Sequence, residues 1–272
     1  MTIRVRAPAT TANLGPGFDV AGAALELWNG LELTQGATSV DESHLGVRAF
    51  SRYADPSEWT FRFIDRIPRE RGLGSSAAVV ALGLVAGAIA AGEDPSPEEL
   101  LDRGLDLEGH ADNLAAALAG GVCLTWEGRI ERIADDVPAT PVAVIPQTSV
   151  NTEAARAALP REVSHSDAVY SAVRATLLGA AIARGDASLF AASAGDRLHE
   201  PYRAVHAPHL EAIRTALPEG ALGATLSGSG PTVIVWAEKA HAEAVAATLR
   251  TRYPEHEVLS LSVAARGAGR SA

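Results

Sequence analysis

The stretch "RGLGSSAA", residues 71–78, is a glycine and serine loop that leads into an apolar segment running to residue 91. That segment is apolar on nearly every face, which predicts a helix of about four turns buried in the middle of its domain. Gly72 and Gly74 leave room for a ligand to approach the backbone, and Ser75 or Ser76 is expected to cap the helix. Free N–H groups at a helix start form an anion site, so the stretch predicts a phosphate loop or a plain helix start.

Two more loops contain clustered glycines. The stretch "PATTANLGPGFDVAG", residues 8–22, joins strands that alternating apolar residues predict at 2–9 and 25–33. The stretch "LSGSGPT", residues 226–232, joins two further predicted strands, although a plain hairpin needs only a two-residue turn. Three such loops in one chain are harder to explain as simple connections than one, and together they favour a binding site.

Charge and composition restrict the partner. The chain has 272 residues and a formal net charge of -10, with no run of Lys or Arg, which argues against a nucleic acid or an anionic membrane as partner. A small molecule is the expected ligand. The start "MTIRVRAPATT" has no apolar core typical of a signal peptide, and the apolar run 77–92 is too short for a membrane span, so a cytoplasmic location is predicted.

Lysine and cysteine usage excludes several chemistries. Of 23 basic residues only Lys239 is a lysine, so the sequence has neither the Gly-Lys-Ser/Thr of a Walker A loop nor an evident lysine for a pyridoxal Schiff base. The single cysteine, Cys123, is predicted to be a buried, inert thiol on a strand. Phosphate chemistry in this chain would therefore depend on backbone amides, arginine and a metal ion.

The pattern of elements changes near residue 150. Before residue 150, strands are predicted at 59–64 and near 121–126 and 141–146. After it, helices dominate. Further on, strands are predicted at 222–226, 232–237 and 257–263, with a helix at 239–252 between the last two. This second part is typical of a split βαβ sandwich with added helices. The chain is therefore divided into a first domain at 1–150, a second at 151–265 and a flexible tail at 266–272.

The three glycine loops resemble, in order and approximate spacing, the signature motifs of the GHMP small-molecule kinases. Within that superfamily the chain most resembles the homoserine kinase branch, through "EGHADN" at 108–113, "TEAARAALP" at 152–160 and "DRLHEPYR" at 196–203. The resemblance spans roughly the whole chain. It implies an α+β, two-lobed GHMP kinase fold with an N-terminal lobe like domain 2 of ribosomal protein S5 and a ferredoxin-like C-terminal lobe.

The resemblance also implies the reaction and its cofactors. The expected activity is an ATP-dependent transfer of phosphate to the side-chain hydroxyl of L-homoserine in threonine biosynthesis, with Mg²⁺. The residues expected to bind ATP are Arg71, Gly72, Leu73, Gly74, Ser75, Ser76 and Ala77. Ser76 and Glu108 are the expected metal ligands, because Mg²⁺ prefers hydroxyl, carboxylate, water and phosphate oxygens, and Asp102 is the reserve candidate.

The amino-acid substrate would be held by the other motifs. Arg156 and Arg203 are expected to bind its carboxylate, because a guanidinium bonds both oxygens, and Asp19 is expected to bind its ammonium group. The residues expected around the hydroxyl and backbone are Asn13, His110, Asp112 and Asn113. Asn13 and Asp112 are the catalytic candidates in the sense of positioning, since phosphoryl transfer demands alignment more than a strong base, and a dedicated base is left open.

Departures from the family pattern leave alternatives. The segment after strand 25–33 is shorter than is usual in the family, which is expected to alter the adenine side of the cleft or a lid. Ala111 and Ser229 stand where relatives often have Pro and Ala. The alternatives are a GHMP kinase for another small hydroxylated acid and a relative that binds nucleotide or metabolite without turnover. A homodimer is left open as the assembly.

Overall fold

The structure is a computed structural model that describes residues 1–36 and 39–271, and it consists of two antiparallel sheets with helices packed against them. The strands are β1 (Thr2–Ala12), β2 (Ala21–Gln35), β3 (Trp59–Ile64), β4 (Val122–Trp126), β5 (Arg129–Ala134), β6 (Thr140–Ile145), β7 (Ala221–Leu226), β8 (Val233–Ala237), β9 (Glu257–Ser260) and β10 (Gly269–Arg270). The helices are α1 (Leu45–Phe50), α2 (Ser75–Ala91), α3 (Pro97–Glu108), α4 (Ala111–Ala119), α5 (Thr152–Ala157), α6 (His165–Arg184), α7 (Ala187–Ser193), α8 (Glu200–Arg203), α9 (His209–Thr215) and α10 (Ala242–Arg252). The predicted α+β class is confirmed.

The first sheet has the strand order β10-β1-β2-β4-β5, and β3 pairs with β2 beside that path. β1 shows the period of two that a one-sided core requires, since Ile3 and Val5 are buried while Arg4 is exposed. Helix α2 packs against β1 and is buried along most of its length because its residues are apolar all round. The backbone N–H of Thr10 donates to the carbonyl of Leu73 at 3.1 Å. This bond holds the start of α2 beside the glycine loop at residues 8–22, which is the first of the three loops in chain order.

The second sheet has the order β7-β8-β6-β9, with helices between β6 and β7 and helix α10 between β8 and β9. This is the βαββαβ arrangement of a ferredoxin-like fold, so the prediction of a split βαβ sandwich is confirmed. Val144, Val235 and Leu249 are among the residues of its buried core. The loop from β7 to β8 reaches the start of α2, where the Ser227 hydroxyl donates to the Gly72 carbonyl at 2.6 Å. The glycine loops at residues 71–78 and 226–232 therefore meet.

Two predicted boundaries are wrong. The predicted first domain, residues 1–150, includes β6, yet β6 pairs with β8 and β9 at the centre of the second sheet, so the division falls between β5 and β6. The predicted tail, residues 266–272, contains β10, which pairs with β1, and the Ser271 N–H donates to the Arg4 carbonyl at 3.0 Å. Ala272 and two positions of the short segment after residue 33, Ala37 and Thr38, lie outside the described residues.

Four elements of the structure were not predicted, namely α1, β5, α8 and β10. Helix α1 and strand β5 are each six residues long, too short to show a clear period in the sequence. Cys123 is buried as expected, and burial raises the pKa of its thiol to about 11, which fits an inert side chain. Across residues 1–36 and 39–271, none of the helices combines the length and apolar character that crossing a membrane requires.

Candidate active site

The three glycine loops line one cavity of about 150 Å³ between the two sheets. It is lined by every residue predicted from the sequence to form the site except Ala77, namely Asn13, Asp19, Arg71, Gly72, Leu73, Gly74, Ser75, Ser76, Glu108, His110, Asp112, Asn113, Arg156 and Arg203. Residues from both lobes thus meet at one place, although they are spread over nearly 200 positions of sequence. Asp102, the reserve metal ligand, is exposed on α3 and does not line the cavity.

The loop of residues 71–74 leads into helix α2, which starts without a side-chain cap. Neither Ser75 nor Ser76 caps the helix as expected, because Gly74 is the N-cap residue and adopts a left-handed conformation with φ of 63°. A serine at that position would be strained, and Gly74 has no side chain that could accept a hydrogen bond from the first turn. Within the described residues the helix therefore starts without a side-chain cap, as an anion site requires.

Close packing fixes the shape of this loop. A Cβ atom on Gly74 would lie 1.8 Å from the hydroxyl oxygen of Thr10, and one on Gly72 would lie 2.3 Å from the carbonyl oxygen of Ser227. Both glycines have positive φ, 78° at Gly72 and 63° at Gly74. The loop therefore has glycine at these two positions because both the backbone conformation and the space exclude a side chain.

Arg71, predicted to bind the cofactor, has its guanidinium engaged by the backbone. Its Nε donates to the Pro146 carbonyl at 2.9 Å, Nη1 donates to the Arg69 carbonyl at 3.1 Å, and Nη2 donates to the Gln147 carbonyl at 2.5 Å. These bonds tie the phosphate loop to the segment that follows β6. In this arrangement Arg71 supports the loop through its side chain, and its predicted role in binding ATP stays a prediction.

Glu108 and Ser76 come together at the end of α3 and the start of α2. Both residues line the cavity, and burial raises the pKa of Glu108 to about 7, a rise that the nearby Ser76 hydroxyl opposes and the nearby Asp112 charge increases. The Oε2 atom of Glu108 is buried and has no hydrogen-bond partner among the described residues. A buried carboxylate oxygen without a partner, next to a hydroxyl, fits a divalent cation that prefers oxygen ligands.

The rest of such a metal shell would have to come from elsewhere. Within the described part of the chain, no group of three or more His, Cys, Asp or Glu side chains is placed to hold a metal ion. Ser76 and Glu108 would therefore share the ion with phosphate oxygens and water, as Mg²⁺ commonly does in phosphoryl-transfer sites.

Helix α4 presents the "HADN" residues to the cavity. Asp112 is 4% exposed, and its Oδ1 accepts the backbone N–H of Asn113 at 2.7 Å. Burial raises the pKa of Asp112, although the Asn113 N–H opposes the rise. Asn113 in turn accepts the hydroxyl of Thr10 at 2.6 Å, and His110 is the N-cap residue of α4. The first loop and the start of α4 are thereby held in register around the cavity.

Asp19 and Arg156 bind each other across the cavity mouth. Nη1 of Arg156 lies 3.1 Å from Oδ1 of Asp19, and Nη2 bonds Oδ2, so the pair is bidentate. Asp19 has a φ of 57°, and its N–H donates to Oδ1 of Asn13 at 3.0 Å. Asn13 donates through Nδ2 to the carbonyl of Gly228 at 3.1 Å, which joins the first loop to the third. The sequence predicts both side chains at the substrate, and it does not predict this pairing.

Arg203 differs from Arg156 in its surroundings. It is 3% exposed on α8, and its Nε atom is buried without a hydrogen-bond partner among the described residues. Nη1 donates to the Gly228 carbonyl at 3.2 Å, and the guanidinium carbon lies 5.2 Å from the ring centroid of Phe18. Burial lowers the pKa of Arg203, partly offset by the negative charge of Asp19. A buried cation with an unused donor at a cavity is a site for an anionic group.

Several lining residues were not predicted. Thr152 and Ser229 have hydroxyl oxygens 3.2 Å apart, and Gly228 accepts bonds from both Asn13 and Arg203. His199 is 0% exposed and does not line the cavity, but it contacts the lining residue Arg203. All four lie in or beside motifs that the sequence already marks, so position within a motif was the available signal.

Comparisons with known proteins agree with this geometry. Two family models match the chain, "GHMP kinases N terminal domain" over residues 44–121 and "GHMP kinases C terminal" over residues 179–255. A curated homoserine kinase from a Synechococcus species is 38% identical, covering 93% of this chain and 91% of that protein. One from Streptomyces avermitilis is 39% identical, covering 98% and 94%.

Solved structures give the same result. The crystal structure of homoserine kinase from Cytophaga hutchinsonii matches with a TM-score of 0.88 at 27% identity, covering 99% of this chain and 97% of that one. A putative homoserine kinase from Listeria monocytogenes matches with a TM-score of 0.82 at 30% identity, covering 99% of both chains. A mevalonate kinase structure, at 12% identity and a TM-score of 0.69, shares the fold.

The fold and the matched family models define a GHMP kinase, an ATP-dependent phosphotransferase that acts on a hydroxyl group. The predicted fold and enzyme class are thereby confirmed. The chain belongs to the homoserine kinase family, because identities of 38% and 39% extend over almost the whole length of both chains.

Proposed function

We propose that this chain transfers the γ-phosphoryl group of ATP to the side-chain hydroxyl of L-homoserine, yielding O-phospho-L-homoserine and ADP for threonine biosynthesis. The observation that carries the proposal is Arg203, a buried cation with an unpaired Nε at the same cavity as the uncapped start of α2. One half of the cavity is thus suited to phosphate and the other to a carboxylate. The names of the curated relatives supply the particular amino acid.

The phosphate half consists mainly of backbone. The first-turn amides of α2 and the glycines of residues 72–74 would cradle the triphosphate, with the helix dipole adding to the attraction. Ser76 and Glu108 would hold Mg²⁺. When bound, that ion supplies positive charge that neutralises the phosphate oxygens. The chain itself would fix the shape of the loop that binds the phosphates, because the tight packing around Gly72 and Gly74 leaves no room for another loop conformation.

The amino-acid half consists of charged side chains. Asp19 would bind the α-ammonium group, while Arg156 and Arg203 would bind the α-carboxylate from two sides. A zwitterion can enter because it replaces one ion pair, Asp19 with Arg156, by one pair for each of the two charged groups. A ligand with only one of these charges would leave Asp19 or Arg156 without its partner.

The hydroxyl end of the substrate would then lie toward Asn13 and Asp112. Phosphoryl transfer proceeds through a loose transition state, so alignment of the hydroxyl with the phosphate matters more than a strong base. Asn13 is held on both sides, by Asp19 N–H and the Gly228 carbonyl, which fixes its amide. Asp112, whose pKa burial raises, would be the acceptor for the hydroxyl proton in this proposal.

The test is ADP release with ATP and Mg²⁺ across L-homoserine, L-threonine, L-serine, mevalonate and shikimate. Turnover on L-homoserine is expected, with a rise in its KM of at least about 100-fold in Arg203→Leu, since a lost carboxylate contact is worth about 3 kcal/mol. Arg197→Leu is the matched control, because Arg197 pairs with Asp167 outside the cavity. Preference for mevalonate or shikimate would identify another GHMP kinase activity.

Two alternatives are decided by the same assay. No turnover on any acceptor, with ATP still bound, would contradict the proposal and favour a relative that binds nucleotide without catalysis.

A cytoplasmic location accompanies the proposal, because ATP and free amino acids are cytoplasmic substrates. The homodimer stays a prediction, which sedimentation velocity would test.

A further inference from the structure

His199 contacts Arg203 but does not itself line the cavity. Its side chain is fully buried, and its ring stacks on Phe18 with centroids 4.9 Å apart and planes 16° from parallel. Its Nε2 lies 2.8 Å from the Gly15 carbonyl oxygen, and its Nδ1 lies 3.4 Å from Nη1 of Arg203. One imidazole therefore touches the first glycine loop and the arginine at once.

The two contacts fix which nitrogen carries the proton. The Gly15 carbonyl can only accept a hydrogen bond, so Nε2 is the protonated nitrogen. In a neutral ring Nδ1 is then an acceptor, and it faces Arg203, which can only donate. The carboxylate of Asp196 is the other charged group nearby, with Oδ2 3.7 Å from Nε2. The contact with Gly15 thus presents a lone pair to the arginine.

The backbone that carries His199 and Arg203 is itself anchored. Oδ2 of Asp196 accepts the N–H groups of Leu198, His199 and Glu200 at 2.7 to 3.0 Å. Oε1 of Glu200 accepts the N–H of Leu226 at 2.8 Å, and Oε2 pairs with Arg214. Helix α8 is therefore fastened to the edge of β7, and the remaining freedom of Arg203 lies in its own side chain.

We propose that His199 is a positioning residue for substrate binding, which orients Arg203 toward the carboxylate of the amino acid; this rests on the proposed function. An arginine side chain has several rotatable bonds, and ordering it on binding lowers affinity. Here Nη1 is held by both His199 Nδ1 and the Gly228 carbonyl, while Arg203 itself lines the cavity. The guanidinium is thereby set in place before the substrate arrives.

Two substitutions separate the two contacts of the ring. His199→Gln places an amide near the position of Nε2 and keeps a donor for Gly15, but it removes the acceptor facing Arg203. His199→Asn keeps an acceptor near the position of Nδ1 and loses the contact with Gly15. We expect His199→Gln to raise the KM for L-homoserine about tenfold with the KM for ATP unchanged, and His199→Asn to stay within about threefold of wild type.

The carboxylate-free analogue 3-amino-1-propanol shows whether the effect passes through Arg203. Wild type and His199→Gln should use it equally poorly, because without a carboxylate the orientation of Arg203 no longer matters. Calorimetric titration with L-homoserine alone, without ATP, should show the same tenfold loss. The exposed His165→Gln is the control and should match wild type in every measurement.

Each variant decides the matter by itself, so a failure of one to fold leaves the other as the test. An unchanged KM for L-homoserine in His199→Gln, an equal loss on the carboxylate-free analogue, or a tenfold loss in His199→Asn would overturn the proposal. A parallel rise in the KM for ATP would indicate a structural role only. Failure of the wild-type enzyme to phosphorylate L-homoserine would instead contradict the proposed function, while calorimetry still reports on the arginine.

Discussion

The two halves of the cleft are built from different parts of the chain. The half proposed to bind phosphate is backbone, made by Gly72, Gly74 and the uncapped first turn of α2. The half proposed to bind the amino acid is side chain, made by Asp19, Arg156 and Arg203, whose positions depend on contacts from distant segments. Backbone sites depend on the absence of side chains, whereas side-chain sites depend on the supports behind them. Substitutions should therefore damage the first half abruptly and tune the second gradually.

Gly74→Ala is expected to give the largest effect. The new Cβ would lie 1.8 Å from the Thr10 hydroxyl at a residue with φ of 63°, so the loop must shift or the fold must weaken by about 3 kcal/mol or more. Turnover should fall at least about 1000-fold, as when a preorganised anion-binding site is lost. Steady-state kinetics and thermal unfolding measure both.

Gly92→Ala is the matched control for that substitution. Gly92 also has a left-handed φ, 75°, but nothing lies within 4 Å of a Cβ added there. It should lose about 1 kcal/mol of stability from backbone strain alone and keep full activity. Equal activity loss in both variants would show that the left-handed backbone, and not the close approach, is what matters.

Glu108→Gln is expected to have the next largest effect. Removing the carboxylate should lower kcat about 100-fold or more at saturating ATP and weaken Mg²⁺ dependence, because the unpartnered Oε2 is lost as a ligand. Without Mg²⁺ the variant should unfold no more easily than wild type, because a buried carboxylate with a raised pKa is costly to ionise. Asp102→Asn should change neither quantity; a loss of activity there would make Asp102 the ligand.

Asp19→Asn tests the side-chain half. It should raise the KM for L-homoserine about 10- to 100-fold and leave the KM for ATP unchanged, since the ammonium group loses its partner. Stability should change by less than about 1 kcal/mol, because the Asp19 and Arg156 side chains are 37% and 44% exposed. A large loss of stability would mean that the pair is structural rather than a binding device.

The smallest expected effect is the contribution of His209 to the pH dependence of the free energy of unfolding. Burial lowers its pKa to about 4, with His256 adding to the shift, so the folded state takes up its proton at lower pH than the unfolded chain does. The contribution of neutral His209 to the free energy of unfolding is complete above the ordinary histidine pKa. It is lost as pH falls, by about 1 kcal/mol between pH 7.5 and 5.5. His209→Phe should abolish this part of the pH dependence in denaturant titrations. An unchanged profile would show that other groups dominate.

Local features were predictable from sequence, and long-range ones were not. The limits of α2 at residues 75 and 91 follow from its apolar run, and β3 lies where its alternation places it. The left-handed N-cap at Gly74 was missed because serine is the usual cap and sequence does not give the sign of φ. The Asp19 to Arg156 pair and the contact of His199 with Gly15 join positions 137 and 184 residues apart, and no local pattern encodes them.

The place of β6 in the second sheet affects how the chain folds during synthesis. Strand β6, residues 140–145, is made well before its partners β8 and β9, at residues 233–237 and 257–260. Its buried side chains, Val142 and Val144, cannot be covered until those segments have left the ribosome. A nascent chain halted near residue 200 would therefore expose an apolar strand without neighbours, which makes it a substrate for chaperones and a hazard for aggregation.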